Sequence, residues 1–144
     1  MKIYVATSWR NEYQPGVVAV LRKAGFDVYD FRDEEGFSWR TVDPNWQAWT
    51  PIEYINGLAH PFAERGYKRD MDALIACDAC VYVLPCGPSA SLEMGFARGA
   101  GKLCVAYVPE VREPDLMVQM AHLVTTQLLA VIAFLSSKNA ARAT

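Results

Sequence analysis

The sequence predicts an α/β fold, a three-layer sandwich in which a mainly parallel sheet of about five strands is covered on both faces by helices. Three observations predict it. Short apolar runs alternate with segments of helical period along most of the chain, the order expected of strand–helix–strand units. The run from Ala79 to Leu84 is apolar almost throughout, as a strand buried on both faces is. The length of 144 residues suits one domain, 1–144, with its own core.

Lys2 to Ala6 reads as the first strand and Thr7 to Asn11 as the polar turn after it. Glu12 to Ala24 places Val17, Val18, Val20 and Leu21 as an amphipathic helix does, and Gly25 ends it as a C-cap. Phe26 to Phe31 alternates and reads as the second strand. From 32 to 61 the pattern breaks: Phe37, Trp39, Trp46, Trp49 and Tyr54 stand among Asp, Glu, Gly and Pro. About thirty residues is too long for a plain connection, and the tryptophans argue against disorder. This Trp-rich insert after strand 2 is either a loop that packs its aromatics on its own core or a partner subunit, or a lid that stacks on a planar ligand.

Glu64 to Cys77 reads as a helix with Met71, Ala73, Leu74 and Ala76 on its apolar side, and Ala79 to Leu84 as the third strand. After the break at Pro85-Cys86-Gly87-Pro88 a helix opens at Ser89 and ends near Gly99. Leu103 to Val108 is a fourth strand, Pro109 to Asp115 a charged loop, and His122 to Thr125 a short fifth strand. Gln127 to Ser137 is the last helix, with 138–144 expected to fray.

The bulk numbers narrow the function. A net charge of −2 leaves no electrostatic footprint for nucleic acid. The longest apolar tract near the end, Leu128 to Leu135, is far short of the ~20 residues a bilayer span needs, and Met1 to Ala6 runs straight into a strand instead of a signal-peptide core. The expectation is a cytoplasmic protein without membrane contact. Cys77-Asp-Ala-Cys80 has C-x-x-C spacing, but no second pair or spaced histidines complete a zinc set, since His60 and His122 are isolated. The pair also leads from a helix into a strand, the reverse of a redox turn. Buried, reduced cysteines and no metal are expected.

Neither G-x-G-x-x-G after the first strand nor a Walker sequence appears, and neither histidine lies in a triad motif. In an open α/β sheet, ligands collect outside the carboxyl ends of the strands, against helix N-termini. There the first strand delivers Ser8, Arg10 and Asn11, and the third delivers Ser89, Ser91 and Glu93; the helix before the third strand carries Asp70 and Asp72. Arg10 with Ser8 and Ser89 can bind an anion, helped by helix amides, or Arg10 can pair with Glu12 or Asp33 on the surface. Glu93 is either a carboxylate acting on a substrate or the far end of a stretched capping box begun by Ser89. An anionic oxygen suits a glycosidic carbon, whose transition state is oxocarbenium-like.

The pieces Ile3-Tyr-Val-Ala6, Arg69-Asp-Met-Asp72, Cys77-Asp-Ala-Cys-Val-Tyr-Val-Leu84, Ser91-Leu-Glu-Met-Gly-Phe-Ala97 and Gly101-Lys102, in this order, resemble the nucleoside 2-deoxyribosyltransferase superfamily, which includes the 2′-deoxynucleoside 5′-monophosphate N-hydrolases. The resemblance covers roughly residues 1 to 137 apart from the insert. It implies a flavodoxin-like, Rossmann-like fold and a glutamate nucleophile, matched by Glu93, with a helper aspartate best matched by Asp72. Thr7-Ser-Trp-Arg10 is similar to the first phosphate-binding turn of the monophosphate hydrolases, and Ser89 falls near their second phosphate serine. The expected activity is cleavage or exchange of the N-glycosidic bond of a nucleoside or nucleoside 5′-monophosphate. Ser8, Arg10, Ser89 and Ser91 would bind the substrate, and Trp46 and Trp49 would close over the base. No cofactor is expected, and the partner expected beyond the substrate is a second copy of the chain, as a homodimer or larger. The rivals are an NAD-cleaving glycohydrolase on a related fold and a nucleotide-sensing module without catalysis.

Overall fold

In the structure, a computed structural model that describes residues 1–33, 36–110 and 112–142, five parallel strands form one sheet. They are β1 (Lys2–Ala6), β2 (Asp27–Tyr29), β3 (Ala79–Val83), β4 (Leu103–Tyr107) and β5 (Leu123–Thr125), in the order β2-β1-β3-β4-β5. The expected α/β architecture is the one the chain adopts. Six helices accompany them among the described residues: α1 (Gln14–Lys23), α2 (Trp39–Val42), α3 (Pro51–Leu58), α4 (Pro61–Ala76), α5 (Pro88–Gly99) and α6 (Leu128–Arg142).

Strand alternation explains the layers. Val5, Val81 and Val105 stand in register across the three central strands, and with Ile3, Val17, Val18, Leu21, Val131 and Leu135 they form the main core, between the sheet and helices α1 and α6. Each such side chain contributes about 1.5–3 kcal/mol on burial. The opposite face carries Ala6, Cys80, Cys104 and Ala106, all fully buried and small. α5 packs on β1, β3 and β4 through Ala90, Met94 and Ala97, one apolar stripe at i, i+4, i+7. Three of the four cysteines (77, 80 and 104) are buried thiols and Cys86 is half-buried. No helix among the described residues is long and apolar enough to cross a membrane.

The chain divides into two compact units, Met1–Asp30 with Leu74–Thr144, and Phe31–Ala73. The second is larger than the 32–61 insert expected from the sequence, because Phe37 ties the start of α4 to it: its ring lies 5.5 Å from that of Phe62, and a Cβ on Gly66 would sit 3.2 Å from the Phe37 Cβ and 3.3 Å from its ring. Within this unit Trp39 meets Phe37 edge-on at 4.7 Å and Trp49 at 5.6 Å.

Four expectations are corrected. The insert is not a loop: Ser38 caps α2, and Thr50 with Glu53 forms a capping box on α3. α4 begins at Pro61, not Glu64, since proline is pre-set for the first turn. α6 does not fray after Ser137 but runs to Arg142, which pairs with Asp78 at 3.0 Å. Ser89 is not a helix cap: Gly87 holds that position with Pro88 behind it, and no side chain caps α5.

Candidate functional site

The strand order reverses direction at β1 and β3, so the crevice outside their carboxyl ends is where this sheet offers a ligand site. Two turns meet there. Thr7 Oγ1 donates to the Val83 carbonyl at 2.7 Å. Asn11 Nδ2 donates to Thr7 Oγ1 (2.8 Å) and to the carbonyls of Val83 (3.1 Å) and Pro85 (2.9 Å), while its Oδ1 accepts from the Tyr13 amide. Asn11 is 2% exposed, so these bonds are shielded from water and pin the turn after β1 to the turn after β3. Buried polar groups satisfied in this way fix a local geometry that water would otherwise loosen.

Held by that pin, Ser8 and Arg10 line one side of the crevice. Ser8 Oγ accepts from the Arg10 amide at 3.2 Å. The Arg10 side chain is exposed and forms no ion pair with Glu12 in its own unit among the described residues. The other side is the start of α5. Its first amides have no side-chain partner and face the same carboxyl edge. Ser89 and Glu93, four residues apart, fall on one flank of this helix. Ser89 is exposed and Glu93 half-buried.

A second polar group lies beneath. Tyr82, near the end of β3, places its hydroxyl 2.9 Å from Ser91 Oγ. Burial, followed by its bond with Cys86, pushes the Tyr82 phenol up to about 12. Burial also pushes the Cys86 thiol up, against the opposing bonds from Tyr82 and Ser91. Neither group is therefore a ready nucleophile at neutral pH, whereas a carboxylate at Glu93 needs no partner base. Across the crevice Tyr13 Oη donates to Glu110 Oε2 at 2.9 Å, joining the turns after β1 and β4. The bonds from Arg112 and then Tyr13 hold the Glu110 carboxyl below its ordinary range.

Ser8, Arg10, Ser89, Ser91 and Glu93 thus belong to the first unit. Asp72, Trp46 and Trp49 belong to the second. Asp72 is exposed and pairs with Lys68 one turn earlier on α4. Trp46 and Trp49 line an apolar groove of about 550 Å³ with Thr50, Pro51, Tyr54 and Ile55. Trp49 is fixed, its indole N–H donating to Asp43 at 2.6 Å. The roles of Thr7 and Tyr82 were missed in the sequence. Tyr82 carries a usable signal, since strand alternation puts it on the face that α5 covers. Among the described residues no group of His, Cys, Asp and Glu is arranged to hold a metal.

No family model matches the sequence and no curated protein does. Solved structures share the fold. The 2-deoxyribosyltransferase of Bacillus psychrosaccharolyticus superposes with a TM-score of 0.64 at 19% identity, over 92% of this chain and 90% of that one. The CMP N-glycosidase BcmB of Clostridium botulinum superposes with a TM-score of 0.55 at 14% identity, over 94% and 99%. The expected fold is therefore seen in both the topology and the neighbours.

Proposed function

We propose that the chain cleaves or exchanges the N-glycosidic bond of a nucleoside or nucleoside 5′-monophosphate, with Glu93 as nucleophile. The observation that carries this is the place of Glu93: a half-buried carboxylate in the second turn of the helix that opens after the carboxyl end of β3, beside the switch point of the sheet. The fold likeness to a deoxyribosyltransferase and an N-glycosidase supports the reaction class.

In this reaction a Glu93 oxygen attacks C1′ as the bond to the base breaks, and the base leaves with the bonding pair and takes a proton. Water or a second base then displaces the carboxylate and restores it. Asp72 is assigned the helper role on the resemblance of Arg69-Asp-Met-Asp72. Ser8, Arg10, Ser89 and Ser91 are assigned to the phosphate or sugar, because the turn after β1 and the start of α5 follow the carboxyl ends of adjacent strands and no side chain caps α5. Trp46 and Trp49 offer aromatic surface of the kind a base stacks on.

The assembly proposed is a homodimer or larger in the cytoplasm. The last helix contributes less to this than its sequence suggests, because Val131 and Leu135 are buried in the core and Leu128, Ile132 and Phe134 pack against it. Exposed apolar side chains in this unit include Leu129 of the last helix, Leu92 and Phe96 of α5, and Leu116 and Met117. A clean 16.1 kDa monomer in sedimentation at micromolar protein contradicts the assembly, and fractionation of cells checks the compartment.

Incubation with nucleosides, nucleoside monophosphates and NAD, followed by chromatography of the free base, tests the activity. Release from a nucleoside or its monophosphate is expected. Release from NAD alone favours the glycohydrolase rival, and no release from any substrate, with binding retained, favours the sensing module.

A further inference from the structure

We infer that Asn11 is a positioning residue: it holds the turn that carries Ser8 and Arg10 at a fixed spacing from the turn that leads into α5, so that both can grip one substrate phosphate. The inference rests on the function proposed above and deepens it toward a phosphorylated substrate. The Asn11 amide donates to the Ser8 carbonyl at 3.0 Å and closes the turn of which Arg10 is part. Its side chain then reaches out of that turn in two directions. Oδ1 accepts from the Tyr13 amide at 2.8 Å, just ahead of α1, and Nδ2 donates to the carbonyls of Val83 (3.1 Å) and Pro85 (2.9 Å). Val83 is the last residue of β3, and Gly87, two residues past Pro85, is the N-cap of α5.

These partners suit a carboxamide. One side of it meets an N–H; the other meets two carbonyls and the Thr7 hydroxyl (2.8 Å), which itself donates to Val83 at 2.7 Å. An aspartate would set an anionic oxygen against the carbonyls, and an alanine would leave them without this donor. Asn11 is 2% and Thr7 8% exposed, so water does not stand in for the lost bonds. The apolar core that holds the sheet to α1 and α6 does not include Asn11. Its bonds therefore set the spacing of turns at the sheet edge, on strands that are adjacent and in register from Ile3 with Ala79 to Ala6 with Tyr82. Neighbouring strands lie about 4.8 Å apart, a gap one phosphate can bridge, and a misplacement of about 1 Å forfeits much of a directed contact.

Calorimetric titration of the common nucleoside 5′-monophosphates and of their nucleosides into wild type, Asn11→Ala, Thr7→Val and the double variant tests this. Asn11→Ala is expected to melt lower yet stay folded. It should weaken the monophosphate that binds best by about tenfold, the lower end of what a charge-assisted contact to phosphate is worth, and leave the matching nucleoside within about twofold. Thr7→Val should show the same selectivity. The double variant should be no weaker than the worse single one within about twofold, because both changes break one network. Thr7→Ser keeps the hydroxyl and should bind as wild type does. A structural role alone would lower both ligands together, so equal losses overturn the inference. Unchanged monophosphate binding in Asn11→Ala overturns it, and so does a wild type that binds no monophosphate better than its nucleoside. Should Asn11→Ala fail to fold, Thr7→Val carries the test: a loss confined to the monophosphate supports the inference, and a shared loss or none overturns it. The base-release panel reads the proposed function separately. Base release with equal losses for both ligands removes the positioning role alone, and phosphate-selective losses without base release remove the reaction alone.

Discussion

In the unit formed by Met1–Asp30 and Leu74–Thr144, buried side chains recur at the periods of strands and helices; in Phe31–Ala73 they do not. Val5, Val81 and Val105 align across the sheet, and Ala90, Met94 and Ala97 align along α5. The second unit is held by ring contacts among Phe37, Trp39, Trp49 and Phe62, with glycines where the rings press on a helix. Its α3 leaves Ile52, Tyr54, Ile55 and Leu58 exposed. The contrast teaches that a periodic core supports a rigid edge on which turns can be pinned, whereas an aromatic cluster supports surface.

The contrast is tested most strongly by comparing Glu93 in the first unit with Asp72 in the second. Glu93→Gln is expected to lower base release by about three or more decades, roughly 4 kcal/mol of transition-state stabilisation. Asp72→Asn is expected to cost about two decades, the size of a general acid–base contribution. Equal losses at both positions would mean that the chemistry is not centred on the first unit. More than about a tenth of wild-type activity in Glu93→Gln removes the nucleophile, since ~1.4 kcal/mol is too little for that role.

Arg10→Ala is next in size. A charge-assisted bond to phosphate is worth roughly 1.5–3 kcal/mol, so kcat/KM for a nucleoside monophosphate should fall by about one to two decades while the matching nucleoside is nearly unchanged. Equal slowing of both substrates shows that Arg10 does not read the phosphate.

Gly57→Ala probes the second unit alone. A Cβ there would lie 2.4 Å from Trp49 Cη2 and Cζ3, on a ring already held by Asp43 and by the edge of Trp39. Overpacking of this kind costs about 1–3 kcal/mol. Tryptophan fluorescence and the melting profile should both shift, and a variant that melts and emits like wild type shows the ring contacts to be soft.

The smallest effect is alkaline. The Tyr82 phenol ionises near its ordinary 10 when unfolded and near about 12 when folded. Between these values the unfolded chain binds fewer protons, so the stability that the group contributes is complete below pH 10 and falls as pH rises through 12. Tyr82→Phe should flatten that part of the urea-midpoint profile, and an unchanged slope shows that the phenol is not shielded.

The same contrast explains what the sequence made legible. Strand and helix positions of the first unit followed from period, the order of the strands in the sheet did not, and Gly25, at φ +85°, ended α1 as read. Glu93, Ser8 and Arg10 were legible as candidates because few residues lie just past the carboxyl ends of strands. Thr7 and Tyr82 were not, because their partners, the Val83 carbonyl and Ser91, are set by the adjacency of β1 and β3 and by the seating of α5. Of the helices in the second unit, α2 and α3 were missed because they are short, whereas the longer α4 was read from its apolar side. The Thr50–Glu53 box, with Pro51 between, was the one local signal available. Arg142 extends α6 through a partner 64 residues away in sequence, Asp78, which no local pattern reveals.

Mass spectrometry of the protein quenched during turnover of a nucleoside or its monophosphate tests the central claim most directly. The account predicts a transient gain equal to the glycosyl group, mapped to the α5 peptide at Glu93 and absent in Glu93→Gln. Base release with no adduct on the wild type, and undiminished in Glu93→Gln, contradicts it.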